Sequence, residues 1–213
     1  MSRAPEGPVV VGGNRQWLTG LGFGDWSRIG YVFSDTGWQE YSVRPALQEK
    51  GEDKRGGLYA IVVTEGFSYD DQATGARFYL TQRRPDGLRL PDLANKSKPG
   101  RWRRRSRSRA ELEQRWVAGA RLVYLGQTTR QTLKGRIQQL RSFALEIPDR
   151  WHTGGELLWQ LSDYSERLDI GILPRPRFSD HLRGKTPLDA EKILLNEFRS
   201  DHQGKLPFAN GRA

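Results

Sequence analysis

Apolar residues fall into a few short, dense runs separated by polar and glycine-rich stretches. Residues 57–64 (GLYAIVVT) are β-branched, apolar and preceded by two glycines, which predicts a strand. Residues 121–125 (RLVYL), closed by Gly126, predict a second strand, and residues 168–173 (LDIGIL) a third. Residues 31–33, 77–81 and 157–161 (LLWQL) read as further short strands. Two segments carry a helical period instead. Over residues 130–146, Leu133, Ile137, Leu140 and Ala144 recur at i, i+4, i+7 and i+11, with Thr128 or Thr129 placed to cap the start and Pro148 to stop the helix. The last helix has Thr186 as N-cap, Pro187 at its first position and Gly204 just past its end. A short helix is expected over residues 110–116, and residues 83–109, rich in Pro, Gly and Arg, read as a long loop.

Composition narrows the class. The 213 residues include no cysteine and three histidines, His152, His181 and His202. This excludes a disulfide framework, a thiolate zinc site and a cysteine nucleophile, and argues against a His-rich metal cage. Apolar runs such as Ile61-Val62-Val63 are far shorter than the roughly 20 residues a membrane helix needs. No apolar leader segment follows Met1, so a cytoplasmic, nucleoid-associated location is expected and no membrane partner. Hydrophobic content is 36% and mean hydropathy −0.74, but seven Trp, seven Tyr and eight Phe supply large areas for a core. Residues 14–50 hold many of these aromatics. They read as an accessory recognition subdomain or, in preference, as an N-terminal extension packed on the main core.

The net charge of +10 points to a polyanionic partner, and it is concentrated. Residues 96–109 contain Lys96, Lys98, Arg101, Arg103, Arg104, Arg105, Arg107 and Arg109 and no acid. Eight uncompensated cations repel one another unless a partner neutralises them, and the arginine fork matches phosphate. Trp102 inside the block is placed to stack on a base. The block therefore reads as a nucleic-acid contact, or as a solvated linker. The remainder of the chain is close to neutral.

One carboxylate is out of place. Glu191 lies at i on the stripe that Leu194, Leu195 and Phe198 continue at i+3, i+4 and i+7. A buried carboxylate is costly unless it is paired or binds a metal. Glu191 is thus a candidate catalytic acid or ligand, or a stripe-edge residue that pairs with an arginine or reaches solvent.

Taken in order, these features resemble the GIY-YIG nuclease superfamily. Gly57-Leu58-Tyr59 looks like its first motif and Tyr124-Leu125-Gly126 its second. Arg136 stands in the following helix where the family carries an arginine, Glu191 on the late helix where it carries a metal-binding glutamate, and Pro207 and Asn210 fit its closing positions. The resemblance covers residues 57–64 and 120–210. It implies an α/β (α+β) fold with a small, mainly antiparallel central sheet flanked by helices. Residues 1–50 are then an N-terminal aromatic-rich extension, and residues 51–213 a nuclease domain with a DNA-contacting insertion at about 65–119.

Two departures stand out. The motifs normally lie a short hairpin apart, whereas 65 positions separate Tyr59 and Tyr124 here. Members often carry a His or Tyr one turn after the arginine; position 140 is Leu, and His152 is the candidate substitute. The resemblance implies phosphodiester hydrolysis with Mg²⁺ (or Mn²⁺) held by Glu191. It implies that Tyr59 orients or deprotonates water, with a nearby cation such as Arg136 or Lys134 lowering its pKa. Arg136 would clamp the phosphate, Tyr124 hydrogen-bond phosphate or water, and Asn210 hold tyrosine or backbone groups in place. Lys134 joins the eight cations of the block as a DNA contact. The implied function is a restriction-type endonuclease on double-stranded DNA, acting most simply as a homodimer since two strands must be cut. The alternatives are a structure-selective repair or mobile-element nuclease, and a nucleic-acid-binding protein on the same scaffold that no longer cuts.

Overall fold

A computed structural model describes residues 15–48, 56–70, 77–78, 107–144, 152 and 155–211. The three strongest apolar runs become β2 (Gly57–Val63), β3 (Leu122–Thr128) and β4 (Leu168–Pro174), and a fourth strand, β1 (Gly24–Arg28), joins them from the N-terminal segment. The sheet order is β1-β4-β2-β3, and every neighbouring pair is antiparallel. With its helices this is an α+β architecture. Among the described residues no helix is long and apolar enough to cross a membrane.

All seven residues of β2 are buried, because helices cover both faces of the sheet. Side chains alternate between the faces. Tyr59, Ile61 and Val63 point into one cluster, which Leu133, Ile137, Leu140 and Phe143 of α5 (Leu133–Ala144) close. Leu58, Ala60 and Val62 point into the other, closed by Leu194, Leu195 and Phe198 of α8 (Pro187–Asp201). Both helices therefore bury the stripes that their periodicity predicts. Truncating the fully buried Phe198 to Ala is worth about 3–5 kcal/mol. The start of β2 depends on its glycines. At Gly56 (φ +89°) a Cβ would lie 2.3 Å from Thr128 O, and at Gly57 (φ +154°) 2.5 Å from Leu173 O. Any other residue would push the strand away from both neighbours.

Helix ends follow local hydrogen bonding. Thr186 Oγ1 accepts from Asp189 N at 3.2 Å with Pro187 behind it, and Gly204 N (φ +80°) closes the far end on Arg199 O at 2.8 Å, as expected. α5 is capped instead by Thr132, whose Oγ1 accepts from Gly135 N at 3.1 Å, and not by Thr128 or Thr129. Thr128 still belongs to the strand and donates to Gln131 O. Pro148 lies outside the described residues. α4 (Arg109–Arg115) starts on a capping box formed by Ser108 and Glu111.

Two predicted strands are helices. Residues 31–33 lie in α2 (Ile29–Phe33), followed by α3 (Asp35–Ser42). Ile29, Val32 and Phe33 are buried together at i, i+3 and i+4, and Gly30 passes so close to Ser165 that a Cβ would sit 2.6 Å from its carbonyl. Helix packing here overrides the β-propensity of Tyr-Val-Phe. Residues 157–161 end α6 (Gly155–Leu158) and turn; α7 (Tyr164–Arg167) follows. Leu157, Leu158, Trp159 and Leu161 are all buried, so the run carries no period to separate strand from helix. Of the run at 77–81, Phe78 forms an isolated bridge with Leu161, and residues 79–81 lie outside the described residues.

The N-terminal segment packs on the main core. It begins with α1 (Arg15–Gly20) and supplies β1, the edge strand on β4. Arg28 Nε reaches the buried Asp169 carboxylate at 3.0 Å, and the buried Arg141 of α5 donates to Phe33 O at 3.0 Å. The two roots of the segment between β2 and β3 are also fastened. Asp70 accepts from Trp116 Nε1 at 2.7 Å and from Gly119 N at 2.8 Å, while Tyr69, Phe78, Trp116 and Phe208 stack as one aromatic cluster. β2 and β3 can thus pair as neighbours despite the long stretch between them.

Candidate active site

Tyr59 of β2 and Tyr124 of β3 come together on the face covered by α5. In register, Tyr59 stands opposite Gly126 and Tyr124 opposite Ile61, with an irregularity between Ile61 and Val62. The two hydroxyls are 3.4 Å apart. Gly126 is what lets them meet: a Cβ there would lie 2.5 Å from the Tyr59 hydroxyl and 2.7 Å from Tyr124 Cε1.

His152 completes this contact. It is fully buried, and its Nε2 lies 2.6 Å from the Tyr59 hydroxyl. Its ring meets both tyrosine rings edge-on, with centroids 6.0 and 5.9 Å away. Leu140, the position one turn after Arg136, is buried in the core. Burial holds the imidazole well below its usual pKa, and the Arg136 charge pushes it further down. A hydrogen bond with its own backbone carbonyl acts in the other direction. In the tautomer protonated on Nδ1, Nε2 accepts the Tyr59 proton.

Arg136 is the electrostatic hub. From α5 its charge acts on Tyr59, Tyr124, His152 and Glu191. Nη1 donates to Gln139 Oε1 at 3.0 Å, and Gln139 is itself clasped by Gln131 through two 3.1 Å bonds. Nε is buried without a hydrogen-bond partner. The guanidinium also hydrogen-bonds both phenols, Tyr59 and Tyr124, and its buried Nε is the donor left over, suited to an anion that arrives from outside.

The expectation that a cation lowers the Tyr59 pKa needs correction. Arg136 does pull in that direction, but burial is the larger effect, and the neighbouring Tyr124 adds to it; Tyr59 is raised well above its usual value. Tyr124 is raised too, by burial first and also by the Glu191 charge, against the Tyr59 hydrogen bond and Arg136. Both phenols are therefore protonated at neutral pH. Neither is a standing phenolate, and proton removal has to go to a neighbour.

Glu191 stands on α8, which packs against the edge strand β3, and its charge acts on Tyr124 while Arg136 acts on it. Burial raises its carboxyl to about 7, against the pull of Arg136 and Lys192. Among the described residues no group of three His, Cys, Asp or Glu could hold a metal ion. The donors present do fit a hard cation that takes one protein carboxylate and completes its shell with water and phosphate oxygens, and a partly desolvated carboxylate favours such a cation.

Asn210 acts on the backbone. Its Oδ1 accepts from Leu125 N at 2.9 Å and its Nδ2 donates to Leu125 O at 2.7 Å. With Ala209 N donating to Val123 O at 2.8 Å, it holds the free edge of β3 beside Tyr124. Lys134 is half-buried in the first turn of α5. Of the basic block, Arg107 pairs with Glu111 at 3.2 Å and Arg109 with Glu113 at 3.9 Å, so those two are partly compensated. Lys96, Lys98, Arg101, Arg103, Arg104 and Arg105, with Trp102, lie outside the described residues. Sequence reasoning missed Gln131 and Gln139; Gln139 stands at i+3 from Arg136 on the polar side of α5, which was the available signal.

No family model, curated protein or solved structure matches the chain.

Proposed function

We propose that the chain is a metal-dependent DNA endonuclease of GIY-YIG type, most simply a homodimeric restriction-type enzyme on double-stranded DNA. The observation that carries the reading is the 2.6 Å contact of Tyr59 with a neutral, buried His152, 93 positions away, with the Tyr124 hydroxyl at 3.4 Å and the Arg136 charge acting on all three. Surface tyrosines and histidines do not need such an arrangement. A proton relay does.

In this reading the Tyr59 hydroxyl oxygen takes a proton from the attacking water as its own proton passes to His152 Nε2. The water oxygen forms the new bond to phosphorus, and the bond to the leaving sugar oxygen breaks. The relay removes the need for a free phenolate, which burial disfavours. Arg136 turns its spare donor to a non-bridging phosphate oxygen, where negative charge accumulates. Tyr124 hydrogen-bonds the phosphate or the water, and Asn210 keeps β3 in register. Mg²⁺ or Mn²⁺ on Glu191 would neutralise phosphate charge and stabilise the leaving oxygen.

The test uses purified protein with Mg²⁺ on modified and unmodified genomic DNA, and on intact against flapped duplexes. Cleavage of intact duplex is expected, with Glu191→Ala abolishing it while binding persists. An Ala variant that cuts at the wild-type rate removes Glu191 from the mechanism. Preference for flaps would move the protein to structure-selective processing, and a blank on all substrates would favour a binding protein that no longer cuts.

A further inference from the structure

A cleft of about 240 Å³ lies between the C-terminal end of α4 and the segment after α8. Arg115 and Lys205 stand among its lining residues, with Gln114, Phe208 and Asn210, and among the described residues no carboxylate lines it. Arg115 makes no ion pair among the described residues, unlike Arg107 and Arg109 of the same region, which have Glu111 and Glu113. Lys205 Nζ is held at the wall by Trp116 O at 3.1 Å. That contact uses one of three donors and leaves two for another acceptor. The side formed by Leu206, Pro207 and Phe208 is apolar.

We infer that this cleft is an anion subsite that takes a backbone phosphate of a nucleic acid, separate from the phosphate at Arg136. The guanidinium fork and the anchored ammonium supply the charge, and the apolar wall offers contact to the adjoining sugar. The subsite is joined to the candidate active site by Asn210, which lines the cleft and clamps Leu125, the neighbour of Tyr124. The inference rests on the nuclease reading for the identity of the polyanion; the place of the anion rests on the cleft itself.

Binding of the full chain to a duplex of about 30 base pairs is measured by fluorescence anisotropy in EDTA across a salt series, so that no cutting intervenes. Arg115→Gln is expected to weaken binding several-fold and to lower the salt slope by about one, since one phosphate contact is lost. Arg115→Lys should keep most of the slope. Arg183→Gln, at an exposed residue paired with Asp180, should change neither. Inorganic phosphate is titrated in parallel against the Arg115 side-chain NMR signal. A shift there with an unchanged duplex slope would mean a small free anion instead and would overturn the inference, as would no response in either arm. The two readings fail separately. Arg115-dependent binding without cleavage keeps the subsite and removes the nuclease. Cleavage with a wild-type slope in Arg115→Gln does the reverse.

Discussion

Tyr41 and Tyr59 are both fully buried tyrosines in the same hydrophobic cluster, and burial raises the pKa of both. Their surroundings differ at the hydroxyl. Tyr41 has the Arg44 guanidinium 4.6 Å from its ring centroid, and its hydroxyl is buried without a hydrogen-bond partner. Tyr59 has an imidazole nitrogen at 2.6 Å, a second phenol at 3.4 Å and the Arg136 charge beside it. Desolvation alone therefore does not mark a working tyrosine. In the proposed mechanism, what marks Tyr59 is a neutral base placed to receive its proton.

The same substitution at the two sites separates them most sharply. Tyr59→Phe removes the relay and is expected to lower the cleavage rate by about 10²–10⁴-fold, the usual span for a lost general acid or base. It also leaves His152 Nε2 without its donor, at about 1–3 kcal/mol of stability. His152→Gln should lose rate as well, since the relay then has no base to receive the Tyr59 proton. A Tyr59→Phe enzyme that cuts within a factor of two of wild type would place the two tyrosines in one class.

Much of this arrangement is legible in the amino-acid order, for identifiable reasons. β2, β3, β4, α5 and α8 carry strong periods and caps, so their positions follow from local physics. Tyr59, Tyr124, Arg136 and Glu191 can be placed on those elements from the motif order, and Asn210 just after α8. The contact of His152 is another matter: nothing within a few residues of it specifies a partner 93 positions away. α6 is misread because its short apolar run lacks a period, and α2 because helix packing overrides the β-propensity of Tyr-Val-Phe. The cap of α5 is misread because Thr128, Thr129 and Thr132 are all eligible and only packing chooses among them. The direction of the Tyr59 shift depends on how completely the sheet and α5 exclude water, which no motif states.

Glu191 offers the next largest effect, readable without substrate. Its carboxyl titrates near 7 in the folded chain, raised by burial from an ordinary value near 4.5. The folded state therefore binds the proton more tightly, and the stability this contributes is present below pH 4.5 and lost as pH rises through 7. Glu191→Gln stays neutral throughout. Its melting temperature should exceed that of wild type by more at pH 8 than at pH 5, by the equivalent of about 1–3 kcal/mol. A constant difference across that range would mean that the carboxylate finds a cation in the unliganded fold.

Tyr41→Phe gives the smallest effect, and its sign is opposite to that of Tyr59→Phe. The Tyr41 hydroxyl has lost its water on folding and makes no hydrogen bond in exchange, so it is a cost without a compensating bond. Phenylalanine keeps the ring, its packing and the Arg44 contact while removing that cost. The variant should be about 1 kcal/mol more stable, a rise of about 2–4 °C in melting temperature for a chain of this size, with cleavage unchanged. Destabilisation by 1 kcal/mol or more would show that the hydroxyl has a partner in solution, such as an ordered water. The contrast with Tyr59 would then rest on the chemistry of the partner, a base that can carry the proton away, and no longer on its presence.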